Sequence, residues 1–237
     1  MSDFDILDEE VRSCTLCTLS TKRTNAVPGD GDRKANVMFI GEGPGYYEDQ
    51  QGIPFVGRAG QLLNEMLESI DLQRQDIYIT NMLKCRPPNN RDPLPAEITA
   101  CGPYLERQIR MISPKVIVTL GRYSTANFFP TEPISKLRGK PMPWNGITIL
   151  PMYHPAAALR NGKLKDALHR DFQQIPELLD PDESADRSDP PLNTPSTTTE
   201  ERQLDMFTPH PTEKDSTPNS NEDPSPAESG PKQMSFL

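Results

Sequence analysis

The chain has 237 residues, 26 prolines and a formal net charge of −9. Residues 181–237 hold ten of the prolines and carry 12 acidic against 4 basic side chains. The preceding 180 residues are nearly neutral, with 21 basic and 22 acidic side chains. A strongly acidic globule would repel phosphates, whereas a neutral one with a local basic patch can bind nucleic acid. The low pI therefore excludes no class of partner for the first 180 residues.

The start of the chain is acidic rather than a basic leader followed by an apolar run, and no stretch of about 18 apolar residues occurs anywhere. We therefore expect a soluble cytoplasmic protein without a membrane segment.

Four short β-branched runs end at Gly, Asn or Pro, as strands buried on both faces tend to do; they are residues 36–41, 76–81, 115–120 and 147–151. Between them, an apolar stripe over residues 62–70 predicts one helix, and Pro95 opens a second that runs to about Ile112. This alternation predicts an α/β fold with three α/β/α layers around a four-stranded parallel sheet. In such folds the loops that follow the strands carry the chemistry.

Hydrophobic periodicity stops at residue 181, and Pro, Ser, Thr, Asp and Glu dominate from there. Such a composition buries too little apolar surface to offset the entropy of ordering. We therefore expect one domain over residues 1–180 and a disordered tail over residues 181–237. Two apolar islands interrupt the tail: QLDMF, from Gln203 to Phe207, and QMSFL, from Gln233 to Leu237.

The four cysteines are spaced as C-x2-C, then 67 residues, then C-x15-C, at Cys14, Cys17, Cys85 and Cys101. Two disulfides are the weaker interpretation, because cytosolic thiols are normally kept reduced. A structural zinc site more often uses two close cysteine pairs, and only one is present. Iron–sulfur clusters accept thiolates from scattered positions, so we expect a cluster with a structural role. Zinc and unligated buried thiols stay open as alternatives.

The glycine loop GEGPG at residues 41–45 follows the first predicted strand. It lacks both the G-x-G-x-x-G spacing and a G-K-[ST] ending, so nucleotide binding is a poor fit.

Five segments, taken in the same order together with the cysteines, resemble family 4 of the uracil-DNA glycosylase superfamily, the iron–sulfur class. They are CTLCTLSTKRTNAVPGDG (14–31), IGEGPGYYEDQQGIPFVGRAGQLL (40–63), YITNMLKCRPPNNRDPLP (78–95), ISKLRG (134–139) and YHPAAALR (153–160). The resemblance implies a monomeric, nucleoid-associated hydrolase that releases uracil from DNA and so starts base excision repair. It also implies a [4Fe–4S] cluster on the four cysteines.

Breaking the bond between uracil N1 and the sugar C1′ leaves negative charge on the base, chiefly at O2 and N1, so the enzyme needs a flipped-base pocket and donors aimed at O2. The resemblance gives His154 the role of a neutral donor to O2. It gives Asn81 the role of recognising the Watson–Crick edge of uracil, because an amide can accept from N3–H and donate to O4. We expect Phe55 to stack on the extruded base. The alternatives without a function in the site are that His154 is an ordinary loop residue, that Asn81 simply ends a strand, and that Phe55 is a core aromatic.

The resemblance places Glu42 and the backbone at Gly43 around the base and its attacking water. Either Glu42 or Asn90 positions that water, and the sequence does not separate them. We also expect Glu48 to restrict the space around uracil C5, which would exclude thymine.

Two further elements suit DNA binding. Leu159 and Arg160 fit an apolar wedge beside a phosphate contact, or simply an amphipathic helix start. Lys136, Arg138 and Lys140 fit a basic patch or an ordinary solvated surface. The ISKLRG segment has no inserted histidine, which argues against the covalent sugar adduct formed by one branch of the superfamily.

Other functions remain as alternatives: a non-catalytic module that recognises uracil or damaged DNA, and an iron–sulfur electron carrier. The presence of His154, Asn81 and Asn90 together favours the enzyme. The QLDMF island closely resembles the pentapeptide that binds the bacterial sliding clamp, and QMSFL is a looser copy. We expect the tail to bind this clamp, with a single-strand-binding protein as the alternative partner.

Overall fold

A computed structural model describes residues 1–179, so the predicted tail and both of its islands lie outside the described part of the chain. Its strands are β1 (Asp30–Gly31), β2 (Val37–Gly41), β3 (Tyr78–Asn81), β4 (Val116–Leu120), β5 (Met142–Trp144) and β6 (Ile147–Met152). They form one sheet in the order β1-β3-β2-β4-β6-β5. The four central strands are parallel, and they match the four predicted runs.

The prediction of four strands was incomplete, because the structure adds β1 and β5 as antiparallel strands at the two edges. These strands have two and three residues, too few to show a periodicity. The link from β5 to β6 consists of Asn145 and Gly146, both with positive φ, of 47° and 79°. Asn-Gly is the preferred pair for a two-residue hairpin, so this signal was present in the sequence.

The helices are α1 (Asp3–Ser13), α2 (Tyr46–Gln51), α3 (Arg58–Glu68), α4 (Pro95–Ile112), α5 (Arg122–Ala126), α6 (Ile134–Leu137), α7 (Pro155–Ala158), α8 (Gly162–Phe172) and α9 (Ile175–Leu179). Short 3-10 turns cover Thr18–Thr21, Arg74–Asp76 and Pro88–Asn90. The helices predicted from the 62–70 stripe and from Pro95 are confirmed as α3 and α4. None of the helices described is long and apolar enough to span a bilayer.

Alternate residues of the central strands face two separate cores, which confirms the three layers. Phe39 and Val118 pack with α3, α8 and α9 on one side of the sheet. Met38 and Ile117 pack with α1 and α4 on the other. Every residue of β2, β3 and β4 is buried, as expected for parallel strands covered on both faces.

The carboxyl ends of the four parallel strands lie along one edge of the sheet, at Gly41, Asn81, Leu120 and Met152. Glu42 and Gly121 directly follow β2 and β4, and His154 lies two residues after the end of β6. In open parallel sheets this edge holds the binding crevice.

Candidate active site

A cavity of about 590 Å³ opens at this edge of the sheet. Its walls include all six residues singled out from the sequence for base binding and catalysis: Glu42, Gly43, Phe55, Asn81, Asn90 and His154. These residues come from five separate segments of the chain, and the sheet topology brings them together.

Asn81 ends β3 and is 2% exposed. Its backbone oxygen accepts from the buried Lys84 Nζ at 2.8 Å. Its side-chain Oδ1 is buried and has no hydrogen-bond partner. A buried acceptor without a partner costs about 1–3 kcal/mol, so it marks a place where a ligand donor belongs.

Gly41 allows Asn81 and Phe55 to meet at the base of the cavity. A Cβ added at Gly41 would lie 2.3 Å from Asn81 Oδ1 and 2.7 Å from Phe55 Cζ. Any side chain here would displace both groups. The glycine is therefore required by close approach rather than by backbone conformation.

His154 caps α7, and its Nδ1 accepts from the Ala156 backbone N–H at 3.1 Å. Because Nδ1 accepts, the proton of the neutral ring lies on Nε2. Burial lowers the pKa of His154 to about 4. At neutral pH the side chain is therefore an uncharged Nε2–H donor on the cavity wall.

The ring of Phe55 stacks near His154, with centroids 5.6 Å apart and planes 25° apart. Phe55 has a φ of 53°, a left-handed conformation that is rare for a bulky residue and costs roughly 1–2 kcal/mol. Glu48 and Arg74 hold this backbone in place. Glu48 Oε1 accepts from the N–H groups of Val56 and Gly57, each at 3.1 Å.

Arg74 completes this support from the other side of the loop. Its guanidinium donates to Phe55 O at 3.2 Å and to Pro54 O at 2.8 Å. Nη2, the nitrogen that donates to Pro54 O, also forms an ion pair with Asp30 at 3.3 Å. Glu48 does line the cavity, as expected, but one of its carboxylate oxygens is committed to the backbone that carries Phe55. Sequence reasoning did not find this positioning contact.

Glu42 lies half-buried just beyond β2. Burial raises the pKa of its carboxyl above the ordinary value, the Asp92 carboxylate adds to the rise, and Arg122 opposes it. Arg122 Nη2 forms an ion pair with Asp92 at 2.5 Å at the rim. A carboxylate with this environment suits proton-accepting chemistry.

Asn90 is exposed and has a positive φ of 52° at the end of the 3-10 turn Pro88–Asn90. Its Oδ1 accepts from Arg86 Nε at 2.8 Å. Arg86 therefore occupies one of the two acceptor positions of this oxygen, whereas no side-chain hydrogen bond within residues 1–179 engages the carboxylate of Glu42.

The elements proposed for DNA contact differ in their surroundings. Leu159 is 40% exposed beside the exposed Arg160, in agreement with a wedge. Arg138 instead binds Asp171 with one guanidinium nitrogen at 2.7 Å from both carboxylate oxygens, so it is tied to α8 rather than free for phosphate. Lys136 pairs with Glu132 at 3.5 Å on the exposed surface.

Several wall residues were missed at the sequence level, among them Gly121, Arg122 and Tyr153. Gly121 and Arg122 follow β4, the one central strand whose loop carried no motif. A Cβ at Gly121 would lie 3.2 Å from His154 Cβ. The position of Gly121 after a buried parallel strand was the available signal.

The sequence profile of the uracil DNA glycosylase superfamily matches residues 28–175. The chain belongs to this superfamily. It is 52% identical over 188 residues to the type-4 uracil-DNA glycosylase of Sulfurisphaera tokodaii, a match that covers 75% of this chain and 86% of the relative. It is 48% identical over 187 residues to the type-4 enzyme of Archaeoglobus fulgidus, covering 75% and 94%. The type-4 enzyme of Thermotoga maritima is 48% identical over 160 residues, covering 66% and 83%.

The four cysteines of this superfamily member converge outside the cavity, and all four thiols are free. Cys17, Cys85 and Cys101 pack in one cluster with Leu19 and Leu83. Burial raises the pKa of the Cys85 thiol, Arg23 opposes the rise, and the nearby thiols of Cys17 and Cys14 add to it. Segments from the end of α1, the turn after β3 and α4 therefore meet here.

Two N–H donors point at the sulfurs. Arg23 Nη1 lies 3.1 Å from Cys85 Sγ, and the backbone N of Lys84 lies 3.3 Å from Cys101 Sγ. Within residues 1–179, no three His, Cys, Asp or Glu side chains are grouped to hold one metal ion. Cysteine thiolates with N–H donors at their sulfurs suit an iron–sulfur cluster, and thiolates are also zinc ligands.

Proposed function

We propose that this chain is a uracil-DNA glycosylase, a hydrolase that cuts the bond between uracil N1 and deoxyribose C1′ in DNA and initiates base excision repair. The observation that carries the proposal is the unpartnered, buried Oδ1 of Asn81, which lies with Phe55 and a neutral His154 in one cavity. The named activity of its type-4 relatives supports the same conclusion.

Asn81 reads the base by its amide. Oδ1 accepts from uracil N3–H, and Nδ2 donates to O4. Cytosine offers an acceptor at N3 and a donor at N4, so the same amide opposes both groups. Two mismatched buried contacts, at about 1–3 kcal/mol each, exclude cytosine from the pocket.

Base extrusion brings uracil against the ring of Phe55. Leu159 fills the space that the uracil leaves in the base stack of the DNA. The strained backbone of Phe55 is held by Glu48 and Arg74, so the stacking surface is in place before the base arrives.

His154 stabilises the leaving base. Its Nε2–H donates to uracil O2 as negative charge develops there. The contact is stronger in the transition state than in the ground state, which is the condition for raising the rate of the chemical step. The low pKa keeps the donor neutral, and no proton transfer to the base is required.

Glu42 positions the attacking water, and the contacts of Asn90 support this choice between the two candidates. The Glu42 carboxylate accepts a hydrogen bond from the water and takes its proton as the water oxygen bonds to C1′. The C1′–N1 bond breaks, and uracil leaves as its anion, which is then protonated by solvent. Asn90 Oδ1 is held by Arg86 and instead shapes the outer wall. The backbone at Gly43 completes the wall around the base.

The enzyme is monofunctional and leaves an intact abasic strand. A lyase would need an amine to form a Schiff base with the sugar, and no lysine is among the residues that line the cavity within the described chain.

Cys14, Cys17, Cys85 and Cys101 hold a [4Fe–4S] cluster when it is bound. Its contribution is structural, because it ties the N-terminal segment and the loop carrying Asn90 to the sheet. The catalytic groups lie on other segments and need no electron transfer.

Residues 1–180 form the catalytic domain of a monomer that works on DNA in the cytoplasm, at the nucleoid. Residues 181–237 lie outside the described part of the chain, and their QLDMF and QMSFL islands bind the bacterial sliding clamp. The proposal of clamp binding is based on the sequence pattern of the two islands alone. Tethering would raise the local enzyme concentration at new DNA without changing the active site. Removing residues 181–237 should abolish clamp co-purification, and Phe207→Ala should reproduce most of the loss.

Incubation of the holoenzyme with a labelled oligonucleotide containing one uracil, in the presence of EDTA, tests the proposal. We expect strand cleavage only after alkali or heat, at the position of the uracil. An absolute requirement for magnesium, or cleavage without alkali, would refute the proposed chemistry.

A further inference from the structure

Two adjacent tyrosines stand exposed at the beginning of α2. Tyr46 is 53% and Tyr47 is 58% exposed. Their ring centroids are 5.4 Å apart and the planes meet at 79°. Neighbouring exposed aromatic rings form an apolar surface of the kind that marks a contact with another molecule.

The pair lies at the mouth of the proposed uracil cavity. Gly45 and Glu48, which flank it in the chain, both line that cavity. Tyr47 also packs toward the loop that follows Phe55, since a Cβ at Gly57 would lie 3.5 Å from Tyr47 Cδ2. The rings are therefore continuous with the surface over which the DNA strand must pass.

Positive charge accompanies the rings. The guanidinium of Arg86 lies 5.2 Å from the Tyr46 ring centroid and is oriented by Asn90. Arg122 and Arg160 line the cavity. Aromatic faces interleaved with arginines are the combination by which proteins bind single strands, with bases stacked on rings and phosphates paired with guanidinium groups.

We infer that Tyr46 and Tyr47, together with Arg86, form a stacking platform for a base adjacent to the extruded uridine on the same strand. This inference rests on the proposed function. Extrusion of the uridine removes one stacking partner from each of its neighbours, and the tyrosine rings replace it for the one neighbouring base that does not contact Leu159. An unpaired neighbour can move onto the rings more freely than a paired one, so the platform contributes more to binding single-stranded than double-stranded DNA.

The substrate for the test is a single-stranded oligonucleotide with 2′-fluoro-2′-deoxyuridine, whose electron-withdrawing fluorine blocks bond cleavage. The fluorescent base 2-aminopurine, which is quenched by stacking, is placed on the 5′ or the 3′ side of it. With the full-length holoenzyme we expect quenching beyond that of the free strand on one of the two sides. Tyr46→Ala/Tyr47→Ala should abolish this quenching.

The dissociation constant gives the second readout. One stacked base accounts for roughly 5- to 150-fold in affinity, so the double alanine variant should weaken single-strand binding within that range, and duplex binding less. Tyr46→Phe/Tyr47→Phe keeps both rings and should retain affinity and quenching. Ile6→Ala, at a 40% exposed position on α1, is the control for loss of exposed apolar surface and should match the wild type.

The platform is refuted if no 2-aminopurine on either side is quenched, or if the double alanine variant binds as tightly as the wild type. A wild-type enzyme that fails to excise uracil from the unmodified oligonucleotide would instead refute the proposed function. Failure of the platform and failure of the proposed function are therefore distinguished by separate measurements.

Discussion

The protonation state of His154 leads to a quantitative prediction about the pH dependence of excision. Burial lowers the pKa of this imidazole to about 4, and an ordinary histidine titrates near 6.5. At pH 6 a group with a pKa of about 4 is roughly 1% protonated, whereas one at about 6.5 is roughly three-quarters protonated. The neutral Nε2–H donor is thus almost fully present at pH 6.

The consequence for the rate depends on the direction of the shift. Since the neutral ring is the active form, lowering its pKa extends activity toward acid. Between pH 8 and pH 6 the contribution of His154 should stay constant, whereas a pKa near 6.5 would cut it about fourfold. The activity that depends on this donor is lost only as the pH falls through about 4.

Single-turnover excision in the Glu42→Gln variant isolates this effect, because it removes the carboxylate that is proposed to position the water. The rate of this variant should be flat from pH 6 to pH 8. His154→Ala should lower the single-turnover rate by about 10²–10³, the typical cost of losing one donor to a developing anion, with a smaller effect on binding. In an NMR titration the imidazole signal that His154→Ala removes should shift near pH 4.

A midpoint near 6.5 in the Glu42→Gln profile would contradict the neutral-donor argument. So would a rate that rises toward acid, because that would make the imidazolium the active form. An unchanged single-turnover rate in His154→Ala would refute the leaving-group role altogether.

Three further substitutions test the site and the cluster. Asn81→Asp should weaken uracil excision and admit cytosine, since a protonated carboxyl donates to N3 and accepts from N4–H. Release of free cytosine measures this change of specificity. If no cytosine is released at any pH, the proposed role of Asn81 is contradicted. Gly41→Ala should displace Asn81 and Phe55 and lower uracil excision at least about 100-fold, whereas Gly162→Ala, which meets nothing within 4 Å, should match the wild type in the same assay. A bound cluster should colour the wild-type protein brown, and Cys101→Ser should remove this colour and the bound iron and destabilise the fold. A wild-type protein with one zinc and no iron would overturn the cluster.

The central fold was predictable because buried parallel strands have a continuous apolar pattern. Residues 36–41 and 115–120 match β2 and β4 to within one residue. The edge strand β1 was not predicted because it has only two residues and its pairing depends on tertiary context. The hairpin at Asn145 was missed although its turn chemistry is visible in the sequence.

Sequence placed two residues of the candidate site by their position relative to strand ends, since Asn81 ends β3 and His154 lies two residues after β6. Contacts that depend on side chains from distant segments were not predicted. Arg74 supports Phe55 from 19 residues away in the chain. Arg138 looked like part of a basic patch, but its partner Asp171 lies 33 residues further on. Sequence spacing contains no information about such pairs.

Release of free uracil tests the proposed glycosylase activity directly. Three oligonucleotides identical except for one uracil, cytosine or thymine are incubated with the holoenzyme in EDTA, and the released bases and abasic strands are quantified by mass spectrometry. We expect one free uracil for each intact abasic strand, and no release of cytosine or thymine. Binding of the uracil strand without base release would contradict the proposed activity and would make the chain a recognition module instead.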